Sequence, residues 1–130
     1  MIKWRDEYNT GVENLDAQHR RLFEIANEAY GLLRDELRVD KYDDIVAILD
    51  ELREYTKYHF QTEEDYMLSI GYKKFLSHKA EHAEFIAKIE AVDLDKVDAS
   101  QDEYLRVTLD FVCTWITEHI LGRDKLYATP

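Results

Sequence analysis

KYDDIVAILDELREYTKYHFQTEEDY, residues 41–66, carries the longest run of helical periodicity in the chain. Its apolar and ligand-type side chains recur at spacings of three and four residues, which places them on one helix face. A four-residue step turns about 400° around a helix, so His59 and Glu63 are expected one above the other. Asp40, directly before this stretch, is its predicted N-cap. The positions on the shared face are Tyr42, Ile45, Leu49, Leu52, Thr56, His59 and Glu63.

Three further stretches show the same periodicity, at about residues 15–37, 73–92 and 101–121. The last of them follows Ser100 and has Glu103 three residues later, which predicts a capping box. The single proline is the last residue, and no segment alternates apolar and polar residues over a useful length. A chain so poor in helix breakers is predicted to be all-α.

The predicted helices are separated by short breaks at residues 38–40, 69–72 and 93–99. Helices joined by short loops pack as antiparallel neighbours. We therefore predict one domain over residues 1–130, folded as an up-down-up-down antiparallel four-helix bundle. Residues 1–13 have no helical face and are predicted to form an N-terminal arm across the bundle.

The overall charge excludes several kinds of partner. The formal net charge is −11, from 17 Lys and Arg against 28 Asp and Glu. Phosphate groups of nucleic acids or lipids would therefore repel the protein. We therefore expect no nucleic acid or anionic membrane as a partner.

No apolar run approaches the roughly 20 residues that span a bilayer, and the N-terminus lacks a secretory signal pattern. The single cysteine, Cys113, excludes an intramolecular disulfide and is expected to be a small buried side chain. A lone thiol is compatible with a reducing cytoplasm, so we expect a cytoplasmic protein. We also expect it to be a monomer.

All five histidines fall on the predicted apolar faces. His78 and His82 are four residues apart and therefore share a face. Asp124 follows His119 by five residues, a step that would turn it away on an unbroken helix. We expect Gly122 to end the helix there and to let the chain bring Asp124 back. The five histidines are His19, His59, His78, His82 and His119.

Each of these pieces taken alone has an ordinary structural interpretation. A single histidine on an apolar face, such as His19, is more often a hydrogen-bonded core residue, and a pair such as His59 and Glu63 is often a surface contact. Together they predict a metal site, because buried carboxylates without partners would be destabilising and paired imidazoles suit Zn, Cu, Fe or Ni.

The number of candidate ligands narrows the kind of metal site. Seven ligands exceed the four of a tetrahedral zinc and suit two octahedral ions that share the carboxylates. The chain contains no Glu-x-x-His, no His-Glu-x-x-His and no Cys-x-x-Cys-His motif. Ferritin-like di-iron proteins, zincin proteases and attached haem are therefore set aside.

The motifs as a set resemble those of the hemerythrin family, most closely its single-domain bacterial members. The resemblance covers essentially the whole chain, and each ligand position of the family is filled by the expected residue type. The motifs that carry it are Trp4, Gly11-Val12, Asp16-Ala17-Gln18-His19-Arg20-Arg21-Leu22-Phe23, His59-Phe60-x-x-Glu63-Glu64, His78-x-x-x-His82 and Trp115-Ile116-x-x-His119-Ile120-x-x-x-Asp124.

The resemblance implies a cofactor of two iron ions joined by an oxo or hydroxo bridge. One iron would take three histidines, the other two, and both carboxylates would bridge the pair. Of the twelve positions of two octahedral ions, this arrangement fills eleven, and the vacancy falls on the iron held by two histidines. The implied ligands are His78, His82 and His119 on one iron, His19 and His59 on the other, and Glu63 and Asp124 as bridges.

The resemblance also implies that dioxygen binds reversibly at the vacant position. Each ferrous ion would give one electron, and the bridging hydroxide would pass its proton on to give a bound hydroperoxide. A dry pocket would keep water out and prevent loss of peroxide. Residues beside the ligands suit that pocket, although ordinary core packing explains them equally well. They are Leu22, Phe60, Trp115, Ile116 and Ile120.

We therefore predict a non-enzymatic protein for transport, storage or delivery of dioxygen, with an oxygen-consuming enzyme as a candidate recipient. One alternative is a di-iron oxidase, peroxidase or nitric oxide reductase, although no spare histidine is present to act as an acid or base. Another is an oxygen sensor acting with a separate partner. A few tyrosines are candidate hydrogen-bond donors near the site, although most are expected to serve as packing with the hydroxyl at the surface: Tyr30, Tyr55, Tyr66 and Tyr127.

Overall fold

The computed structural model describes residues 2–35, 37–91 and 100–128, with side chains described as far as Leu126. Four long helices form the antiparallel up-down-up-down bundle that the sequence predicts, and no strand occurs among the described residues. The elements in chain order are a 3₁₀ turn at Asp6–Tyr8, α1 Glu13–Arg34, α2 Tyr42–Ser69, α3 Phe75–Glu90, α4 Gln101–His119, a π-helical turn at Ile120–Asp124 and α5 Lys125–Ala128.

Several predicted helix boundaries differ by one to three residues from those in the structure. The helix predicted to reach residue 37 ends at Arg34, and Leu37 is 95% exposed in the following turn rather than on the buried face. The second helix continues three residues past its predicted end, because burial of the Met67 side chain stabilises an additional helical turn. Helix α3 begins at Phe75, and the predicted end of that helix at residue 92 lies outside the described residues.

The predicted capping residues behave differently from expectation. Asp40 accepts a hydrogen bond from the Tyr42 backbone N–H at 3.1 Å, although Lys41 occupies the N-cap position. Ser100 occupies the N-cap of α4, but its hydroxyl caps nothing, so the predicted capping box is wrong. Gln101 ties this end of the bundle together instead, because its side chain accepts from the Lys41 N–H and donates to Asp40.

The N-terminal arm is anchored to α1 by hydrogen bonds and by aromatic packing. The Asp16 carboxylate accepts hydrogen bonds from the Thr10 N–H and hydroxyl and from the Gly11 N–H, and Gly11 has a φ of +88° that favours glycine. The rings of Trp4 and Tyr8 contact Phe23 with centroids 5.3 and 5.2 Å apart. The arm therefore covers one flank of α1 and ends at residue 12, one residue before its predicted end.

The buried side chains fall into two main clusters. The larger surrounds the half of the bundle that contains the histidines and includes Phe23, Phe60, Phe85 and Ile116. The smaller lies at the other end, where Leu105 is 1% exposed. Cys113 is a buried free thiol, as predicted. None of the described helices combines the length and apolar character needed to cross a bilayer.

Candidate metal centre

The structure brings all seven predicted ligand side chains together inside the bundle. Each of the four long helices, or the turn that continues it, contributes at least one of them, and each side chain is at most 6% exposed. The residues are His19 on α1, His59 and Glu63 on α2, His78 and His82 on α3, His119 at the end of α4 and Asp124 in the π-helical turn.

Asp124 reaches the centre by a route that the sequence did not predict. Gly122 does not end the helix, since α4 continues through the π-helical turn at Ile120–Asp124 into α5. Hydrogen bonds in a π turn span five residues, so the residue five positions after His119 lies above it on the same face. The Asp124 carboxylate consequently lies 3.0 Å from His119 Nε2.

One group of ligand atoms combines three imidazoles with two carboxylate oxygens. The Nε2 atom of His119 lies 2.9 Å from that of His78 and 3.2 Å from that of His82. Glu63 Oε1 is 2.8 Å from His78 Nε2, and Asp124 Oδ1 is also 2.8 Å from it. Five donor atoms therefore converge on one point.

The second group combines two imidazoles with the other oxygens of the same two carboxylates. Glu63 Oε2 lies 2.8 Å from His59 Nε2, and Asp124 Oδ2 lies 3.0 Å from His19 Nε2. Each carboxylate thus directs one oxygen to each group. This is the arrangement that two adjacent cations bridged by carboxylates require.

The positions of the donor atoms are explained better by a pair of bound metal ions than by hydrogen bonds among the side chains themselves. Among the described residues, no partner in hydrogen-bonding geometry satisfies either Glu63 oxygen or Asp124 Oδ1, although imidazole nitrogens lie within 3.0 Å of each. Imidazole nitrogens at such short range also repel each other unless a cation lies between them. Separations near 3 Å match neighbouring ligands of an octahedral ion with bonds of about 2.1 Å. Imidazole with carboxylate is a donor set that suits iron.

The electrostatics of the cluster depend on the two buried carboxylates. Burial alone would raise the pKa of Glu63 and Asp124, but the surrounding imidazoles outweigh it and lower the pKa of Glu63 well below its usual value and that of Asp124 to about 2. Burial lowers the pKa of His19 and His78, yet contacts with the same carboxylates raise both to about 9. Without metal, protons on imidazoles balance the carboxylate charges.

In three of the imidazoles, the Nδ1 atom, on the side of the ring away from the metal centre, contacts a polar side chain. His59 Nδ1 lies 2.7 Å from Gln18 Oε1, an amide oxygen that only accepts, which makes Nδ1 the protonated nitrogen and leaves Nε2 free for a cation. Carboxylates hold the other two rings, with His82 Nδ1 3.0 Å from Glu64 Oε2 and His119 Nδ1 3.2 Å from Glu81 Oε2. Such partners fix the ring orientation and raise the basicity of the metal-facing nitrogen.

Sequence reasoning gave these supporting residues no role. Gln18 and Glu64 each adjoin a predicted ligand along the chain and stand in the motifs that resemble the family, and these were the available signals. Glu81 acts on a histidine of another helix, so the sequence contains no local sign of its contact. Its second oxygen accepts from Arg123 Nε at 2.8 Å, which ties the π-helical turn to α3.

All five residues proposed for the pocket line one internal cavity beside the metal centre. The cavity measures about 10 Å³, close to the smallest space that admits one water-sized molecule. Thr56 also lines it and was not predicted for this role, and its hydroxyl donates to the Leu52 carbonyl at 2.5 Å. The predicted lining residues are Leu22, Phe60, Trp115, Ile116 and Ile120.

Aromatic rings of the lining also pack against the imidazoles. Trp115 stacks on His119 with centroids 4.3 Å apart and planes 11° from parallel. Phe60 stacks on His82 at 3.8 Å with planes 1° from parallel. Of the tyrosines proposed as donors near the site, Tyr55 packs against the larger core cluster and Tyr30 against the smaller one, and the Tyr127 side chain lies outside the described residues.

An all-α bundle that gathers five imidazoles around two shared carboxylates is a metal-binding protein of the helical-bundle class. Residues 10–129 match the family described as "Hemerythrin HHE cation binding domain". The chain is 52% identical over 127 residues to a bacteriohemerythrin of Clostridium acetobutylicum, with 98% of each covered. It is 30% identical to a myohemerythrin of Riftia pachyptila, over 95% of this chain and 88% of that protein.

A solved structure agrees with these relatives. The crystal structure of a wild-type hemerythrin matches the fold with a TM-score of 0.79 at 30% identity, over 98% of this chain and 95% of the other. The chain belongs to the hemerythrin family. The resemblance inferred from the ligand motifs is thereby confirmed.

Proposed function

We propose that the protein binds dioxygen reversibly at a carboxylate-bridged pair of iron ions. The observation that carries this proposal is the difference between the two donor groups. One has five protein donors and the other has four. Both histidines of the four-donor group, His19 and His59, line the internal cavity, whereas only His119 of the three histidines in the five-donor group does so. A position for an added ligand on that side would therefore open onto the cavity.

The bound ferrous ions would supply the two electrons and the open coordination position that dioxygen needs. His78, His82 and His119 would hold one ion, His19 and His59 the other, and Glu63 and Asp124 would bridge them. Glu64 and Glu81 would keep two of the imidazoles correctly turned through their Nδ1 atoms.

The walls of the cavity favour reversible binding over onward chemistry. Leu22, Ile116 and Ile120 are at most 3% exposed, so they keep bulk water and free protons away from the centre. The only lining hydroxyl among the described residues belongs to Thr56, and its proton is already given to a backbone carbonyl. A cavity of about 10 Å³ is far too small for an organic substrate.

The decisive experiment is a cycle of oxygenation. Iron-loaded protein in the ferrous state is exposed to dioxygen, its visible spectrum is recorded, and the gas is then removed. A colour that appears and bleaches over several cycles supports a carrier or store, whose recipient would be an oxygen-consuming enzyme. Irreversible conversion with release of peroxide would favour the oxidase or peroxidase alternative. Finding a single zinc ion per chain would overturn both.

A further inference from the structure

A surface groove lies between α2 and α3, and the proposed ligand His82 and its partner Glu64 are among the residues that line it. Its volume is about 380 Å³, much larger than the internal cavity. Apolar side chains line part of it, including Ala83, Ile86 and Ala87, and Phe60 lines it as well. Apolar gases partition into such surfaces, so the groove is a natural place for dioxygen to collect beside the bundle.

The charged residues of the groove form ion pairs at its surface that leave it accessible to water. Lys57 pairs with Glu90 at 2.8 Å, and Lys79 lies 3.9 Å from Glu64. Surface pairs of this kind contribute little energy and exchange readily with water. They mark the groove as an open approach from solvent rather than a sealed site.

Phe60 is the one side chain among the described residues that lines both the groove and the internal cavity. It is 5% exposed and stacks face to face on His82, with centroids 3.8 Å apart. Trp115 and Phe85 pack near it at 5.7 and 5.9 Å. The Phe60 ring therefore borders both the groove and the space beside the metal centre.

We propose that Phe60 is the gate through which dioxygen passes between the α2–α3 groove and the internal cavity. The proposal rests on the function proposed above and adds a route and a rate-controlling residue to it. The closed state is the ring stacked on His82, and passage needs a brief displacement of that ring. Because buried rings move far less often than exposed ones, this displacement limits exchange of the gas.

The test compares Phe60→Leu with Phe85→Leu in the iron-loaded protein. Phe85 is buried in the same cluster and contacts Phe60, but it lines neither space, so its substitution removes similar packing without opening the route. Dioxygen association and dissociation are followed by rapid mixing. We expect both rates to rise about tenfold in Phe60→Leu, equivalent to about 1.4 kcal/mol of barrier, and to stay within about twofold in Phe85→Leu.

Dissolved dioxygen is itself a paramagnetic probe, and nuclear magnetic resonance reads its access to the cavity without any binding to iron. In the metal-free protein, dissolved dioxygen should accelerate relaxation of the Leu22, Ile116 and Ile120 methyl groups, which line the cavity, more strongly in Phe60→Leu than in Phe85→Leu. Equal acceleration in the two variants would overturn the gate. If the protein fails to bind dioxygen reversibly while methyl relaxation still depends on Phe60, the proposed function is wrong and the gate for apolar gases stands.

Discussion

His119 Nε2 lies 3.0 Å from Asp124 Oδ1, although the two residues lie five positions apart along one continuous helix. An α-helix would point them in different directions, and the π-helical turn at Ile120–Asp124 removes that difference. Turns of this kind are frequent at functional sites. Here the turn supplies the second of two carboxylates that face both groups of donors.

Replacement of Asp124 by Asn should reduce the metal content of the protein. The amide lacks the negative charge that a bridge between two cations requires, and it would leave the imidazoles of His19 and His78 without their shared counter-ion. We expect bound iron to fall from about two ions per chain to one or none, measured by elemental analysis. Asp110→Asn, an exposed change on α4, is the matched control. Unchanged iron in Asp124→Asn would contradict the bridging role.

Glu81→Gln should weaken metal binding without touching a donor atom. The amide makes a poorer partner for His119 Nδ1 and loses the ion pair with Arg123 that ties the π-helical turn to α3. Substitution of such supporting residues typically lowers metal affinity about 10- to 100-fold. Competition with a coloured chelator measures this affinity, and Glu84→Gln on the exposed side of α3 should match the parent protein.

Ile116→Ala should accelerate autoxidation of the oxygenated protein. Ile116 is 3% exposed and lines the internal cavity, so its truncation enlarges the cavity and admits water. The same change should destabilise the fold by about 2–5 kcal/mol. Leu105→Ala controls for that loss, because Leu105 is equally buried in the other core cluster. A similar autoxidation half-life in both variants would count against the proposed pocket.

Metal uptake should release protons and strengthen as the pH rises. Contacts with the carboxylates outweigh burial and raise the pKa of His19 and His78 to about 9, so both imidazoles carry a proton at pH 7 that a metal ion must displace. The apparent affinity should increase up to about pH 9 and then level off. Calorimetry in buffers of different ionisation enthalpy counts the protons, and uptake without release at pH 7 would refute this account.

The same raised pKa values of His19 and His78 make the free energy of unfolding of the metal-free protein depend on pH. Imidazoles with a raised folded pKa stabilise the fold most at low pH, below their ordinary value near 6.5, and lose that contribution as pH rises through about 9. Urea unfolding of metal-free protein between pH 7 and 10 should therefore show a falling free energy of unfolding. Iron-loaded protein should lack this decline.

Lys41 offers a prediction that does not involve the metal. It is 1% exposed, and its ammonium lies 2.8 Å from the Asp102 carboxylate at the end of the bundle opposite the metal centre. Asp102→Asn should destabilise the protein by about 1 kcal/mol, because the carboxylate is 58% exposed and screened by water. Lys41→Met should be neutral or stabilising, since it removes the charge and keeps the volume. Chemical denaturation of both variants measures whether the free energy of unfolding falls in Asp102→Asn and is unchanged or higher in Lys41→Met.

Prediction from sequence succeeded where the information was local. The face shared by His59 and Glu63, and that shared by His78 and His82, follow from the helical repeat alone. It failed where a contact depends on another helix. Leu37 fits the repeat but is 95% exposed beyond the end of α1, and Ser100 precedes a helix whose end is held by Gln101 instead.

The sequence by itself determined the bundle, the buried faces and the set of seven candidate ligands, because helix periodicity and side-chain chemistry act over a few neighbouring residues. Only the tertiary structure decided which oxygen of Glu63 and Asp124 faces which group, which residues contact the Nδ1 atoms of the imidazoles, and that Phe60 lines both the groove and the cavity. These relationships join residues far apart in the chain, and they arise from the packing of whole helices, which no local pattern encodes.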